Sequence, residues 1–97
     1  MKVTEVASNF TWEMQKRYRE FRELHEHLKL KYPDRIPNFP GKRLFGNNDP
    51  QFIKQRQQGL QAYLNGVIQI EPDCRTRALA KFLEINLRQQ GIKILEL

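Results

Sequence analysis

The residue types best suited to chemistry are cations set beside an aromatic ring. Lys16-Arg17-Tyr18-Arg19 sits where a strand-like pattern gives way to a helical one. A helix start offers free backbone N–H groups and a partial positive charge, which suits an anion. Arg17 brings a planar fork that matches phosphate. Tyr18 offers a flat face for a sugar-like ring and a hydroxyl at its edge. The spacing alone equally allows a charged strand end with Tyr18 in the core. A second group, Lys42-Arg43, lies in PNFPGKRLFG and is followed by Leu44 and Phe45. Apolar residues beside cations suit a segment that enters a lipid interface. They also suit a loop that folds back on the core. The third cation, Arg56 in FIKQRQQGL, lies between Ile53 and Leu60, where it lines a pocket or snorkels.

Other chemistry finds no support. There is no Gly-rich phosphate loop and no Ser, His and Asp in a nucleophile setting. His25 and His27 are two apart on a helix, so they face different ways and cannot share a metal as an i, i+4 pair can. The carboxylates are scattered among Lys and Arg. No catalytic residue, no cofactor and no metal site is expected, and the reading is a binding module rather than an enzyme. The lone Cys74 allows no intrachain disulfide and fits a reducing, cytoplasmic compartment. No apolar run approaches the roughly 20 residues of a membrane span. MKVTEVASNF lacks the apolar centre of a signal peptide. Any membrane role is therefore peripheral. Seventeen Lys and Arg against eleven Asp and Glu give +6, which favours polyanionic partners.

The elements that must position these residues follow from periodicity. A chain of 97 residues, 39% hydrophobic, makes one domain, 1–97. Lys2–Val6 reads as a strand and Ala7-Ser8-Asn9 as a turn. From Phe10 to Tyr18 the pattern alternates, with Phe10, Trp12 and Met14 on one face, completing a β-hairpin. Phe21, Leu24 and Leu28 then mark an amphipathic helix over about Arg19–Lys31, stopped by Pro33. Residues 33–50 form a Pro- and Gly-rich loop that also carries Ile36, Phe39, Leu44 and Phe45. Asp49-Pro50 starts a helix running to about Gln69. Its buried side is predicted as Phe52, Ile53, Leu60, Tyr63, Leu64, Val67 and Ile68. Gly59 within it costs about 1 kcal/mol relative to Ala and marks a break or a close contact. A last helix is predicted over about Arg75–Gln90, with Leu79, Phe82, Leu83 and Leu87 inward and Gly91 past its end. The tail IKILEL alternates weakly, as a strand would. The order specifies an α+β domain.

The three basic pieces, in this order, resemble the phox-homology (PX) family. KRYREF is similar to its Arg-Arg-Tyr/Phe-x-x-Phe motif, with Lys16 for the first Arg. PNFPGKRLFG resembles its Pro-x-x-Pro-x-Lys loop, IKQRQQGLQAYL its Arg-x-x-Gly-Leu helix, and RALAKFL its closing segment. The likeness runs from about Phe10 to Leu87. It implies a small antiparallel sheet packed on a three- to four-helix subdomain. It also implies binding of phosphoinositides, most often phosphatidylinositol 3-phosphate, peripherally on early endosome membranes, as in sorting nexins. By that resemblance Arg17 holds the 3-phosphate and Tyr18 stacks under the inositol ring. Lys42 meets the 1-phosphate with Arg19 helping, Arg56 bonds the 4- and 5-hydroxyls, and Leu44 and Phe45 enter the bilayer.

The resemblance also implies a strand ahead of Lys2 for which the chain has no room, so the sequence is expected to start inside the domain. An open edge on the hairpin is unfavourable and invites self-association. Ile92–Leu97 is expected to add a strand there, from the same chain or a partner. Two other readings stand beside this one. A protein-interaction module could keep the fold with weak lipid binding. A nucleic-acid-binding basic domain is allowed by charge, but no reading motif accompanies the cations, and no nucleic acid is expected as partner.

Overall fold

The computed structural model describes residues 1–5, 9–41 and 48–85, together with the backbone of 92–96. Strand β1 (Lys2–Glu5) pairs antiparallel with β2 (Phe10–Glu13), Val3 opposite Trp12 and Thr4 opposite Thr11. Asn9 takes a left-handed φ of 58°, which Asn tolerates better than most residues. The ladder gains one further pair at its open end. The Met14 amide donates to the Met1 carbonyl (2.8 Å), and the terminal amine of Met1 donates to the Met14 carbonyl (2.7 Å). β2 ends at Glu13, short of the Phe10–Tyr18 run that alternation predicts. Its partner strand stops at Lys2, and past the Met1–Met14 pair the chain turns into a helix.

Strand β3 (Ile92–Glu96) lies antiparallel along the other side of β1, with an irregularity between Lys2 and Val3. The sheet order is β2-β1-β3. The β1 edge through which self-association is expected is thus paired within the chain.

Among the described residues, three helices pack beside the sheet: α1 (Tyr18–Lys31), α2 (Pro50–Ile70) and α3 (Arg77–Phe82). α1 buries Phe21, Leu24 and Leu28, as its period predicts. α2 buries Leu60, Tyr63, Leu64 and Val67, and Val3 and Met14 bring the hairpin into the same core. Asp49 caps α2 by accepting from the Gln51 amide (3.0 Å), with Pro50 in the first turn. Buried positions on α2 begin only at Leu60, so its first turns overhang the core. Ile53, predicted inward, is therefore 42% exposed, while Phe52 stays half-buried. Phe10, at the tip of the hairpin, is likewise exposed despite sharing a face with Trp12 and Met14.

The last helix differs most from its prediction. It spans Arg77–Phe82 rather than Arg75–Gln90. Glu84 adopts a left-handed φ of 56°. The Glu84 amide donates to the Lys81 carbonyl (3.1 Å) and the Ile85 amide to the Ala80 carbonyl (3.0 Å). This is the Schellman pattern that ends helices, usually with Gly at the left-handed position. Trp12 Nε1 donates to the Leu83 carbonyl (3.0 Å), tying the hairpin to this terminus. Leu87 and Gly91 lie outside the described residues. The free Cys74 is fully buried, and burial pushes its thiol up to about 12.

The far ends of α1 and α2 are joined through one carboxylate. Glu71, buried just past α2, accepts from the Tyr32 hydroxyl and from the Thr76 hydroxyl (2.6 Å) and amide, and faces the Lys31 ammonium at 3.3 Å. Burial acts to raise its pKa, but the bonds from Thr76 and Tyr32 and the Lys31 charge outweigh that and hold it below its ordinary 4.5. A depressed carboxylate stabilises fully above its unfolded pKa, and that contribution is lost as pH falls through the folded value. Glu71→Ala, which leaves buried donors unpaired, should lower the unfolding free energy by about 2–4 kcal/mol in a denaturant titration at neutral pH. Its deficit relative to wild type should shrink as the pH is taken down from about 5 to 3. A constant deficit across that range would refute the assignment.

Candidate functional site

The site is shaped by how the Pro-rich segment lies on α2. A side chain at Gly66 would put its Cβ 2.5 Å from Cγ of Pro37, and one at Gly59 would put it 2.9 Å from Cγ of Pro40. Each proline ring therefore sits in a notch that only glycine leaves open. The spacings agree. Prolines three apart on an extended chain are about 9 Å apart, and glycines seven apart on a helix about 10.5 Å. Gly59 is thus a close contact rather than a helix break, since α2 is continuous through it.

Between the prolines, Phe39 is held on three sides. The His25 ring stacks on it (4.7 Å between centroids), Tyr63 meets it edge-on (5.0 Å), and Tyr18 lies tilted against it (5.5 Å). Tyr63, almost fully buried, pairs its hydroxyl with Nδ1 of His25 at 2.9 Å. Burial raises the Tyr63 pKa above its ordinary 10.0, so the hydroxyl keeps its proton. Burial also lowers the His25 pKa, with Lys29 and Arg22 adding to the effect and Glu26 opposing it. A neutral imidazole accepting from Tyr63 satisfies both groups.

Tyr18 is fixed at both ends. Its hydroxyl donates to the Pro40 carbonyl (2.7 Å). Its ring carries the Arg56 guanidinium, whose Cζ is 4.2 Å from the ring centroid and 4.7 Å from that of Phe52. The Arg56 Nε is buried and has no hydrogen-bond partner among the described residues. So the first motif supplies Tyr18, the second Pro40 and the third Arg56, and these meet in one place.

Arg17 is the N-cap of α1 and is exposed. Its guanidinium is a donor only and cannot cap the helix. Instead Glu20 reaches back to the Arg17 amide (3.2 Å). The Glu20 and Phe21 amides both use the Arg17 carbonyl (2.9 and 3.2 Å). The Tyr18 and Arg19 amides, first in the helix, have no intrahelical acceptor. Arg19 is exposed on the same turn. Lys16 is directed elsewhere. Its side chain is only 14% exposed, 3.3 Å from Glu84 and 3.8 Å from Glu20, with its ammonium over the Phe82 ring. That cation joins α1 to the end of α3.

Lys42, Arg43, Leu44 and Phe45 lie outside the described residues, immediately after Pro40-Gly41. A shallow hollow beside Tyr18, Pro40 and Gly41 is walled by Arg22, His25, Glu26 and Lys29. The roles of His25, Phe39 and Phe52 do not follow from the basic motifs. The matching Pro37/Pro40 and Gly59/Gly66 spacings are the signal that locates Phe39. No group of metal-ligating side chains occurs among the described residues, and no described helix is long and apolar enough to cross a membrane.

The chain resembles known proteins over most of its length. The family model for the PX domain matches residues 4–86. The chain is 47% identical over 55 residues to Kinesin-like protein KIF16B of Homo sapiens, covering 56% of this chain and 4% of that protein. It is 38% identical over 68 residues to Serine/threonine-protein kinase Sgk3 of Rattus norvegicus, covering 69% of this chain and 14% of that protein. It is 37% identical over 70 residues to Sorting nexin-22 of Homo sapiens, covering 72% of this chain and 34% of that protein. No solved structure matches it significantly.

The notches give a direct test. Ala for Gly inside a helix ordinarily stabilises by about 1 kcal/mol. Gly66→Ala should instead destabilise by roughly 1–3 kcal/mol, because the proline ring above it is rigid. Thermal melts of Gly66→Ala and Pro37→Ala/Gly66→Ala measure this, and the double variant should recover part of the loss. A stabilised single variant would show that the proline does not sit there.

Proposed function

The chain belongs to the PX domain family, phosphoinositide-binding modules that target membranes, and on that premise we propose that it recognises phosphatidylinositol 3-phosphate on the cytoplasmic face of early endosomes. The reading is supported by one observation above all. Tyr18, Pro40 and Arg56, far apart in sequence, converge, and the start of α1 with Arg17 and Arg19 adjoins them.

In this reading the 3-phosphate takes the Arg17 fork and the unpaired amides at the start of α1. The inositol ring stacks on the Tyr18 face that Arg56 covers in the structure. Arg56 shifts to the ring's edge and bonds the 4- and 5-hydroxyls, giving its Nε–H the acceptor it lacks. Lys42 meets the 1-phosphate, with Arg19 assisting. Leu44 and Phe45 enter the bilayer beside it. Each charge-assisted bond contributes about 1.5–3 kcal/mol, and further cations near an anionic surface about 1 kcal/mol each, weakened by salt. The module binds its lipid without transforming it, and it serves protein transport by delivering whatever it is joined to.

Two measurements bear on this. On liposomes carrying phosphatidylinositol 3-phosphate, Arg17→Ala should reduce affinity at least about tenfold, equivalent to 1.4 kcal/mol. Undiminished binding would remove the pocket. Replacing Leu44 and Phe45 together by Glu should weaken liposome binding far more than binding of soluble inositol 1,3-bisphosphate. Equal losses would argue against insertion.

A further inference from the structure

The Arg56 guanidinium contacts two rings, and the second of them belongs to no recognised motif. Phe52 is four residues before Arg56 on α2, so the two share a helix face. The guanidinium Cζ stands 4.7 Å from the Phe52 centroid and 4.2 Å from that of Tyr18, both within cation–π range. Two aromatic rings within cation–π range leave the guanidinium its N–H groups for bonding a ligand. One of these, Nε–H, is already desolvated and has no acceptor among the described residues. Leaving a buried donor unmatched is unfavourable, and native proteins rarely do so without a use.

We infer that Phe52 is the positioning residue that sets headgroup selectivity, by holding Arg56 edge-on to the ring that binds on Tyr18. This rests on the preceding reading of the pocket. An incoming ring displaces Arg56 from Tyr18 but not from Phe52, so the guanidinium keeps one aromatic face in both states. Held there, its N–H edge fits hydroxyl oxygens at hydrogen-bond distance. A phosphate at the same ring position projects further and meets an obstacle. Freed from Phe52, a long Arg side chain swings aside and makes charge-assisted bonds to that phosphate instead. Selectivity against extra phosphates therefore comes from keeping Arg56 still rather than from its charge.

The test compares wild type, Phe52→Leu, Phe52→Trp and Arg17→Ala on liposomes containing phosphatidylinositol 3-phosphate or the 3,5-bisphosphate. Phe52→Leu should keep 3-phosphate binding to within about threefold while its preference over the bisphosphate falls about tenfold, or 1.4 kcal/mol. Phe52→Trp, which keeps a ring, should retain the preference. Parallel losses for both lipids in Phe52→Leu, with preference intact, would overturn the inference and leave the pocket standing. Undiminished binding by Arg17→Ala would overturn the pocket itself, whatever Phe52→Leu does. A measurement on the unaltered protein guards against a misfolded variant. The Arg56 Nε–H proton should show NMR cross-peaks to the Phe52 ring both free and with soluble inositol 1,3-bisphosphate, and lose those to Tyr18 on binding. Loss of the Phe52 cross-peaks in the bound state would equally overturn the proposal.

Discussion

Two proline rings seated in two glycine notches position the aromatic cluster of the candidate site. Pro37 on Gly66 and Pro40 on Gly59 fasten an irregular segment to α2 at two points about two helical turns apart. Once fastened, the segment has little freedom. Phe39 can only enter the space between His25, Tyr18 and Tyr63, and the Pro40 carbonyl can only face the Tyr18 hydroxyl. The pocket thus inherits its precision from a helix rather than from a loop. Ordering the side chains before a ligand arrives reduces the entropy lost on binding.

The same economy appears in the cations. Three basic residues open the first motif, yet they divide between two tasks. Lys16 turns inward to Glu20, Glu84 and the Phe82 ring, holding the start of α1 against the end of α3. Arg17 and Arg19 stay exposed beside the helix-start amides that have no intrahelical acceptor. A Lys in place of the first Arg of the motif is therefore compatible with the site, since that position faces away from Tyr18 in this chain.

Much of this was legible from residue types alone, and the exceptions have identifiable causes. Phe21, Leu24 and Leu28 announce the buried face of α1, and Asp49-Pro50 announces the start of α2. The β1–β2 hairpin and the strand in the tail follow from alternation. The end of α3 did not, because a non-Gly residue, Glu84, takes the left-handed position where a glycine would have been the clue. Ile53 misled because hydrophobic periodicity does not say how far a helix outruns its core. At the site, Tyr18 and Arg56 were recognisable as chemistry, but their contact was not. It depends on where the start of α1 is set against α2, a tertiary fact. The contact of Phe52 with Arg56 was hidden for a simpler reason: a phenylalanine near a helix start reads as core.

Trp12 is the one tryptophan of the chain, and its indole N–H is bonded to the Leu83 carbonyl across 71 positions of sequence. It straps the sheet to the end of α3. Any event that parts the hairpin from the helices must hand the indole to water and shift its emission to longer wavelength. The fold therefore contains its own optical gauge of sheet–helix docking, read without attaching a dye.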